Sequence, residues 1–359
     1  MTTIYLIRHA EAEGNLYRIV QGHRDSALTD RGWRQVKALE KRFEGVRIDA
    51  VYSSDLYRAR ATATAIAKPR GLPVQGVPDL REICVGEWEQ LTFGEIARRD
   101  AQMLENFGRH MEQWHVPGAE TPQAVLERAW KFLNRVAAEN DGKTIALVSH
   151  GYILRLLLSK IEGMTLEETG AVRHGDNTAV SLLEYGGGAF RLLYRDDNRH
   201  LKTKEYLEKE TSAKRNNALE TGLWFRELPP DNPLFAELGA EAVRAVGGAF
   251  DRARLLSGAE GCAALCAYLG DEPAGLVQFD PQNGWIFILY LREKYRRKAM
   301  GIQLIGQAVV RTRANGGGSV SVAAPPTAAP FFAACGFAPR ETCGDGRTVW
   351  EKDIRFPEL

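Results

Sequence analysis

Short apolar runs alternate with longer segments of helical periodicity over the first part of the chain. The runs in TIYLIRH, IDAVYSS and KTIALVSH are typical of buried strands. Between them, LTDRGWRQVKALEKRFEG, DLYRARATATAIAKPRG and TPQAVLERAWKFLNRVAAEN place apolar residues at helical spacing. Thr29 or Asp30 would cap the first of these helices, and Thr121 the last. The alternation predicts an α/β fold, with an N-terminal three-layer α/β/α sandwich around a mostly parallel sheet.

The pattern changes near residue 205. NTAVSLLEYGGGAFRLLYRDDN indicates a hairpin that closes a first domain over residues 1–205, and the charged residues 206–221 indicate a helical or flexible linker. Beyond them, AALCAYLGDEPAGLVQFDPQNGWIFILYL contains three apolar runs separated by turn residues, which indicates an antiparallel meander. A helix, a strand and a short helix follow. We therefore predict a second domain over residues 222–359, an α+β fold with a mixed, mainly antiparallel sheet.

Length and charge agree with two globular domains. The chain has 359 residues, more than one ordinary core needs, and its 47 basic residues nearly balance its 46 acidic ones. This balance gives no reason to expect nucleic acid or a membrane surface as a partner. Because the N-terminus shows no basic region followed by an apolar core, we expect a cytoplasmic protein. The oligomeric state is left open.

The five cysteines do not suggest a metal site. They include no C-x-x-C pair and no histidine at zinc spacing, so we expect buried or incidental thiols and no bound metal.

Two of the apolar runs end in a histidine, His9 and His150. If both strands are parallel, both imidazoles emerge at the same edge of one sheet, where ligands of α/β proteins collect. A neutral imidazole can attack phosphorus, and nearby cations such as Arg8 and Arg58 would stabilise the phosphoryl oxygens. Glu82 could donate the proton that a leaving group requires. Without further information this spacing indicates only a polar cluster.

Five motifs in this region resemble those of the histidine phosphatase superfamily, the phosphoglycerate mutase-like proteins. They are LIRHAEAEGN, GHRDSALTDRG, VYSSDLYRARATA, LREICVGEWE and LVSHG, in that order over roughly residues 1 to 200. Ala10 stands where the family usually has glycine. The resemblance implies that His9 becomes the phosphohistidine and that Glu82 serves as acid and then as base. It further implies that Arg8, Arg58 and His150 hold the phosphate, and that Asn15 touches the phosphate or the substrate. We also expect Gln21 to bind substrate, and Glu120 to do so from the segment QWHVPGAE over the mouth of the pocket.

A phosphatase is favoured over a mutase. Family mutases that bind bisphosphoglycerate carry a long insertion after the general-acid motif, and the segment from GEWEQLTFGEIARRD to PGAETPQ is short. The resemblance therefore implies hydrolysis of a small phosphorylated substrate without a metal, with a phosphoglycerate mutase-type enzyme as the alternative.

LREKYRRKAMGIQLIGQAV in the second domain resembles the acetyl-CoA loop of GNAT-type N-acetyltransferases. Backbone N–H groups at a helix N-terminus can hold a pyrophosphate without side chains. The resemblance implies an acetyl-CoA site formed by Leu291, Arg296, Arg297, Lys298, Ala299, Met300 and Gly301. Ala299 departs from the family pattern.

Two readings of this second domain stay open. In one the protein is bifunctional, and the domain N-acetylates a small amine. In the other the domain is a noncatalytic acyl-CoA-binding module, which Phe332 favours because the family's usual tyrosine is absent there. Glu293 is not assignable as a general base, and Cys335 is expected to be a core thiol.

Overall fold

The computed structural model describes residues 1–208, 222–245 and 261–359. The first part contains a six-stranded sheet with the order β3-β2-β4-β1-β5-β6. Its strands are β1 (Thr2–Arg8), β2 (Ala50–Ser53), β3 (Val74–Gly76), β4 (Thr144–Ser149), β5 (Val180–Gly186) and β6 (Ala189–Asp197). The strands β1 to β4 pair in parallel, whereas β5 and β6 add an antiparallel hairpin at one edge. The predicted mostly parallel sheet and the closing hairpin are confirmed.

Helices cover both faces of this sheet. They are α1 (Glu13–Tyr17), α2 (Asp30–Arg42), α3 (Tyr57–Ala67), α4 (Phe93–Arg99), α5 (Ala101–Arg109), α6 (Pro122–Glu139), α7 (Gly151–Ile161), α8 (Leu166–Gly170) and α9 (Lys204–Glu208). Because successive strand residues point to opposite faces, Ile4 and Leu6 of β1 pack against α6 and α7, whereas Ile7 packs against α2 and α3. The three-layer α/β/α sandwich is confirmed.

The expected helix boundaries follow from side-chain caps and proline. The Thr29 hydroxyl accepts from the Gly32 N–H at 3.0 Å, and Thr121 caps α6 from the position before Pro122. The helix α3 ends at Ala67, two residues before Pro69. Local sequence signals therefore fix these ends.

The second part of the chain contains a seven-stranded sheet with the order β12-β13-β11-β10-β9-β8-β7 among the described residues. Its strands are β7 (Trp224–Glu227), β8 (Ala263–Leu269), β9 (Glu272–Phe279), β10 (Trp285–Leu291), β11 (Ser319–Ala324), β12 (Ala338–Thr342) and β13 (Thr348–Asp353). The pair β10 and β11 is parallel, and the remaining neighbours are antiparallel. The mixed, mainly antiparallel sheet is confirmed.

Each face of the second sheet carries a helix. Within residues 222–245 and 261–359, the helices are α10 (Pro233–Ala245), α11 (Gly301–Ala314) and α12 (Ala329–Ala334). Leu304 and Ile305 of α11 join one apolar cluster, and Phe235 and Leu238 of α10 join the cluster on the opposite face.

The two parts of the chain share a core. Tyr17 of α1 is 1% exposed and belongs to the same apolar cluster as Ile305 of α11. The helices meet so closely that a Cβ added at Gly306 would lie 2.5 Å from the Tyr17 ring. The short helix α1, which begins within the first histidine motif, is therefore buried against the second sheet's helix.

The predicted linker over residues 206–221 falls mostly on residues 209–221, which lie outside the described residues. Its first residues belong to α9, where Tyr206 is buried. Among the helices that the structure describes, none is both long enough and apolar enough to span a bilayer.

Candidate active site

The first and fourth strands bring the two histidines together. Arg8 lies opposite Ser149 in the parallel register, and the His9 N–H donates to the Ser149 carbonyl at 2.9 Å. The strands therefore end side by side, and the rings of His9 and His150 have centroids 5.1 Å apart. His9 is 4% exposed and His150 is fully buried. The parallel register of β1 and β4 therefore places both imidazoles at one edge of the sheet, as predicted.

Arg58 reaches the same place from the first turn of α3. Its side chain is 1% exposed and donates from Nη1 to the Arg24 carbonyl at 3.0 Å and from Nη2 to the Gly22 carbonyl at 2.8 Å. The carboxylate of Glu89 holds this loop by accepting from the N–H groups of His23 and Arg24. The guanidinium is thus fixed by two backbone carbonyls, with the Asp25 carboxylate 3.5 Å from Nη1.

Glu82 lies at the N-terminus of α7. Its carboxylate accepts from the N–H groups of Tyr152 at 3.1 Å and Ile153 at 3.3 Å. These donors are among the helix amides that lack an intrahelical partner. Since His150 is the residue that precedes this helix, the same turn positions the second histidine and the carboxyl group.

Several buried nitrogens around His9 lack a hydrogen-bond partner within the described residues. They are the Nε atoms of Arg8 and Arg58 and both ring nitrogens of His150. Buried donors in folded proteins are normally paired, so an unpaired group needs an explanation. A phosphate group supplies acceptor oxygens for such donors.

The charges around His9 keep its ring neutral. Burial, followed by the positive charges of Arg58 and Arg8, lowers the pKa of His9 well below its usual value. The Nδ1 of His9 lies 2.7 Å from the Ala10 carbonyl, which can only accept, so the proton of a neutral ring belongs on Nδ1. The lone pair is then on Nε2. Burial and Arg58 likewise lower the pKa of His150.

A loop before β5 contributes residues that the sequence analysis did not identify. Arg8 donates from Nη1 to the Gly175 carbonyl and lies 2.9 Å from the His174 ring, and the Asn177 amide donates to the His9 carbonyl. The positive charge of Arg8, together with burial, lowers the pKa of His174 to about 4. The signal for this loop was the polar stretch RHGDN directly before an apolar strand.

The three predicted substrate-binding residues differ in their surroundings. Asn15 is exposed, and its side-chain oxygen accepts from the Ala12 N–H at 3.0 Å as a cap of α1. Gln21 lies against Gly14, where an added Cβ would be 2.0 Å from its side chain, and it lines a cavity. Their contact with substrate stays a prediction.

Glu120 is bound into a network beneath Glu82. Its carboxylate accepts from the Cys84 N–H and from Arg128, which also donates to the Glu82 carbonyl at 3.0 Å. Burial opposes ionisation, but hydrogen bonds from His23 and Arg128 outweigh it and lower the pKa of Glu120 to about 2. These contacts make Glu120 a support for the backbone that carries Glu82.

The predicted acyl-CoA loop connects β10 to α11. Arg297 and Ala299 have φ values of 59° and 54°, in the left-handed region that residues other than glycine rarely adopt. The side chains of Arg296, Arg297 and Lys298 are exposed, and α11 begins directly afterwards at Gly301. A turn of this kind before a long helix, flanked by cations, fits the pyrophosphate of acetyl-CoA.

The aromatic pair near the end of the chain is part of the second core. Phe332 is 4% exposed and contacts the rings of Phe331, Phe337 and Trp350. It therefore offers packing and no hydroxyl. Cys335, expected to be a core thiol, is also buried there.

No cluster of three or more histidine, cysteine or carboxylate side chains suited to a metal occurs in the portion of the chain that the structure describes.

Comparison with protein families matches both parts of the chain. The family model for the histidine phosphatase superfamily (branch 1) matches residues 4–198, and the model for the acetyltransferase (GNAT) domain matches residues 249–349. The expected fused architecture is confirmed.

Two relatives and one solved structure resemble the first part. Adenosylcobalamin/alpha-ribazole phosphatase of Escherichia coli K12 is 34% identical over 167 residues, 46% of this chain and 81% of the relative. The probable phosphoglycerate mutase GpmB of Cronobacter sakazakii is 31% identical over 185 residues, 52% of this chain and 86% of the relative. The structure of Bacillus stearothermophilus YhfR superposes with a TM-score of 0.55 at 31% identity and covers 56% of this chain and all of YhfR.

Proposed function

Because the chain belongs to the histidine phosphatase superfamily and carries a GNAT acetyltransferase domain after it, we propose that it hydrolyses a small phosphomonoester through a phosphohistidine at His9. The observation that carries the proposal is the set of unpaired nitrogens on Arg8, Arg58 and His150, buried beside the His9 ring. A phosphate dianion supplies acceptors for the Nε–H groups of the two arginines and for the one N–H of a neutral His150 ring.

The first step transfers the phosphoryl group to His9. The lone pair on Nε2 attacks phosphorus, a P–N bond forms and the P–O ester bond breaks. Glu82, protonated at this stage, gives its proton to the departing oxygen, so that the product leaves as an alcohol. The Ala10 carbonyl, accepting from Nδ1, holds the ring in the tautomer that this attack requires.

The second step releases phosphate. Glu82, now a carboxylate, removes a proton from water, the water oxygen attacks phosphorus and the P–N bond breaks. Inorganic phosphate leaves, His9 returns to its neutral form and Glu82 is protonated again. Arg8, Arg58 and His150 stabilise the equatorial oxygens in both steps, so the mechanism uses no metal.

The substrate is a small phosphorylated metabolite. The alpha-ribazole phosphatase resemblance supports hydrolysis of a phosphomonoester, and the mutase relative keeps a phosphoglycerate mutase-type reaction as the second candidate. The two differ in products, because a mutase would isomerise a phosphoglycerate without net phosphate release.

The second domain is proposed to bind acetyl-CoA through Leu291 and residues 296–301. The left-handed residues in this loop and the three exposed cations support that assignment. Bound acetyl-CoA would supply the acetyl group for transfer to a small amine, with CoA leaving as the free thiol. The buried Phe332 favours the noncatalytic acyl-CoA-binding alternative, and release of CoA with any amine acceptor would eliminate it. As domain bounds we propose residues 1–205 and 222–359 with the linker between them.

The test measures phosphate release from a panel of small phosphomonoesters in EDTA. Wild type should hydrolyse at least one of them, and His9→Ala should not. His110→Ala is the matched control, because His110 is exposed and lies outside the site. Equal release by wild type and His9→Ala, or activity that requires a metal, would overturn the mechanism. If a phosphoglycerate in the panel is isomerised without phosphate release, the mutase reaction replaces the proposed hydrolysis.

A further inference from the structure

A cavity lies where the two parts of the chain meet, beside the loop that holds Arg58. Its volume is about 370 Å³. One wall consists of nine residues between Glu13 and Ser26 of the first part with Gln90, and the other of Val310, Arg313 and Ala314 of α11 with Phe356 near the C-terminus. The second sheet's helix and the final residues therefore line a space beside the loop that holds Arg58.

The contacts around this cavity fix both walls. Arg313 donates to both carboxylate oxygens of Glu13, at 2.8 and 3.2 Å, and to the Ile354 carbonyl. Its guanidinium lies 5.0 Å from the Phe356 ring centroid. Phe356 in turn contacts the ring of Tyr57, the neighbour of Arg58, with centroids 4.9 Å apart. The ion pair and the ring contacts hold the second-domain wall against the elements that follow His9 and precede Arg58.

The cavity also adjoins the machinery of the phosphate site. Asp25 lines it, accepts from the Tyr57 N–H and lies 3.5 Å from the Nη1 of Arg58. The neighbouring Arg24 lines it too and provides one of the carbonyls that fix Arg58. Arg24 and Asp25 therefore connect the cavity wall to Arg58.

Two buried hydroxyl groups on the lining lack partners. Tyr17 is 1% exposed and Ser26 is 4% exposed, and neither hydroxyl forms a hydrogen bond to any residue that the structure describes. A buried hydroxyl without a partner carries a desolvation penalty. A ligand that brings hydrogen-bonding groups into the cavity would remove that penalty.

The lining determines the chemistry of such a ligand. Two acidic residues, Glu13 and Asp25, balance two basic ones, Arg24 and Arg313, so the walls have no net formal charge. Aromatic and aliphatic side chains make up much of the rest, and ligand pockets of roughly this size are mostly apolar with a few polar groups. An uncharged ring that carries hydroxyl or ring-nitrogen groups matches these walls.

We propose that the second domain builds one wall of the phosphatase's substrate pocket, through Arg313, Ala314 and Phe356, and that this pocket selects phosphomonoesters of uncharged, ring-bearing alcohols of nucleoside type. The inference rests on the proposed phosphatase function for the identity of the phosphate site. It makes the second domain part of the first domain's specificity.

The test compares equilibrium binding of adenosine 5′-monophosphate and inorganic phosphate by calorimetry. Both are measured in the His9→Ala background, so that neither ligand is consumed. If the ring occupies the cavity, the nucleotide should bind at least about tenfold more tightly than phosphate, as expected for a group filling a shaped pocket.

Ala314→Trp fills the cavity from the second domain without altering any residue of the first. Ala314 is exposed on the last turn of α11, so the larger side chain is not forced into a core. The affinity ratio of nucleotide to phosphate should fall to within about threefold. Ala333→Trp, at an exposed alanine of α12 outside the lining, is the matched control and should keep the wild-type ratio.

Phe356→Ala gives a second, independent variant, which removes one ring instead of filling the space. It should reduce the nucleotide preference by about fivefold while phosphate affinity stays unchanged. The inference is overturned if nucleotide and phosphate bind the His9→Ala protein with equal affinity. It is also overturned if neither Ala314→Trp nor Phe356→Ala alters the ratio of the two affinities. The wild type could instead hydrolyse no phosphomonoester in the function test while Ala314→Trp still changes the ratio of nucleotide affinity to phosphate affinity. That result would refute the proposed reaction and leave the cavity site standing.

Discussion

The proposed phosphate site and the proposed acyl-CoA loop both lie where a strand leads into a helix, but they are built differently. At the first, His9, Arg58 and His150 are at most 4% exposed, and in the proposed mechanism their side chains carry the chemistry. At the second, the cations over residues 296–298 are exposed, and the distinctive feature is a backbone with two left-handed residues. A side-chain site depends on residue identity, whereas a backbone site depends on dihedral angles.

The largest expected effect is at Arg58. Arg58→Ala removes a buried, preorganised donor, and loss of one such donor costs about 100- to 1,000-fold in turnover. The steady-state rate of phosphate release measures this loss. Arg60→Ala is the control, because Arg60 lies on the same helix but is exposed. If both variants lose activity equally, the site does not depend on the buried guanidinium.

The contact between the two regions gives the next largest effect. Gly306→Ala would place a Cβ 2.5 Å from the Tyr17 ring, and overpacking of this kind costs about 1–3 kcal/mol of the free energy of unfolding. Gly108→Ala is the matched helical control, because nothing lies within 4 Å of an added Cβ there. Chemical denaturation measures both. Equal stability of the two variants would mean that the helices do not pack as described.

The His9 ring provides a pH test of the buried site. Burial and the charges of Arg58 and Arg8 lower the pKa of His9, so the ring should remain neutral as the pH falls through about 6.5, where an unperturbed histidine gains its proton. Arg58→Gln removes one of the opposing charges and should raise the pKa of His9.

Titration of the histidine ring protons by NMR measures this shift, with His9→Ala to assign the signal. Arg60→Gln, again at the exposed position, should leave the titration unchanged. A His9 signal with an ordinary pKa in the wild type would contradict the burial and charge argument.

The smallest effect is expected in the acyl-CoA loop. Ala299→Val puts a β-branched side chain on a residue with φ of 54° and should weaken CoA binding by about 1 kcal/mol. Lys298→Ala should change the dissociation constant less than about threefold, because exposed cations contribute little. Calorimetry with CoA tests both, with Ala333→Val as control. If Lys298→Ala weakens CoA binding more than Ala299→Val does, the loop depends on side-chain charge and not on backbone conformation, and the contrast with the first site fails.

The same contrast explains what the sequence could predict. The strand ends at His9 and His150 were predictable because parallel neighbours end at one edge, and Thr29 and Thr121 mark helix starts by local capping. The resemblance to a family then gave Arg58 and Glu82, already candidates, their specific roles. Roles for these residues remain predictions until activity is measured.

The remaining features depend on contacts that are distant in sequence. Nothing in the local pattern indicated that Tyr17 packs in the second core, or that Glu13 pairs with Arg313 three hundred residues away. Nor does residue type reveal that Glu120 supports the Glu82 backbone, because that depends on how Arg128 packs beneath it. Local periodicity determines elements, whereas tertiary packing determines which elements share a site.

Trapping the phosphoenzyme tests the central claim most directly. With 4-nitrophenyl phosphate, whose leaving group needs no proton, Glu82→Gln should still form the phosphohistidine but should lose the base that activates water. We expect a burst of about one nitrophenolate per enzyme and phosphate attached to His9 by mass spectrometry under alkaline conditions. Turnover with phosphate on another residue, or with none on His9, would contradict the account.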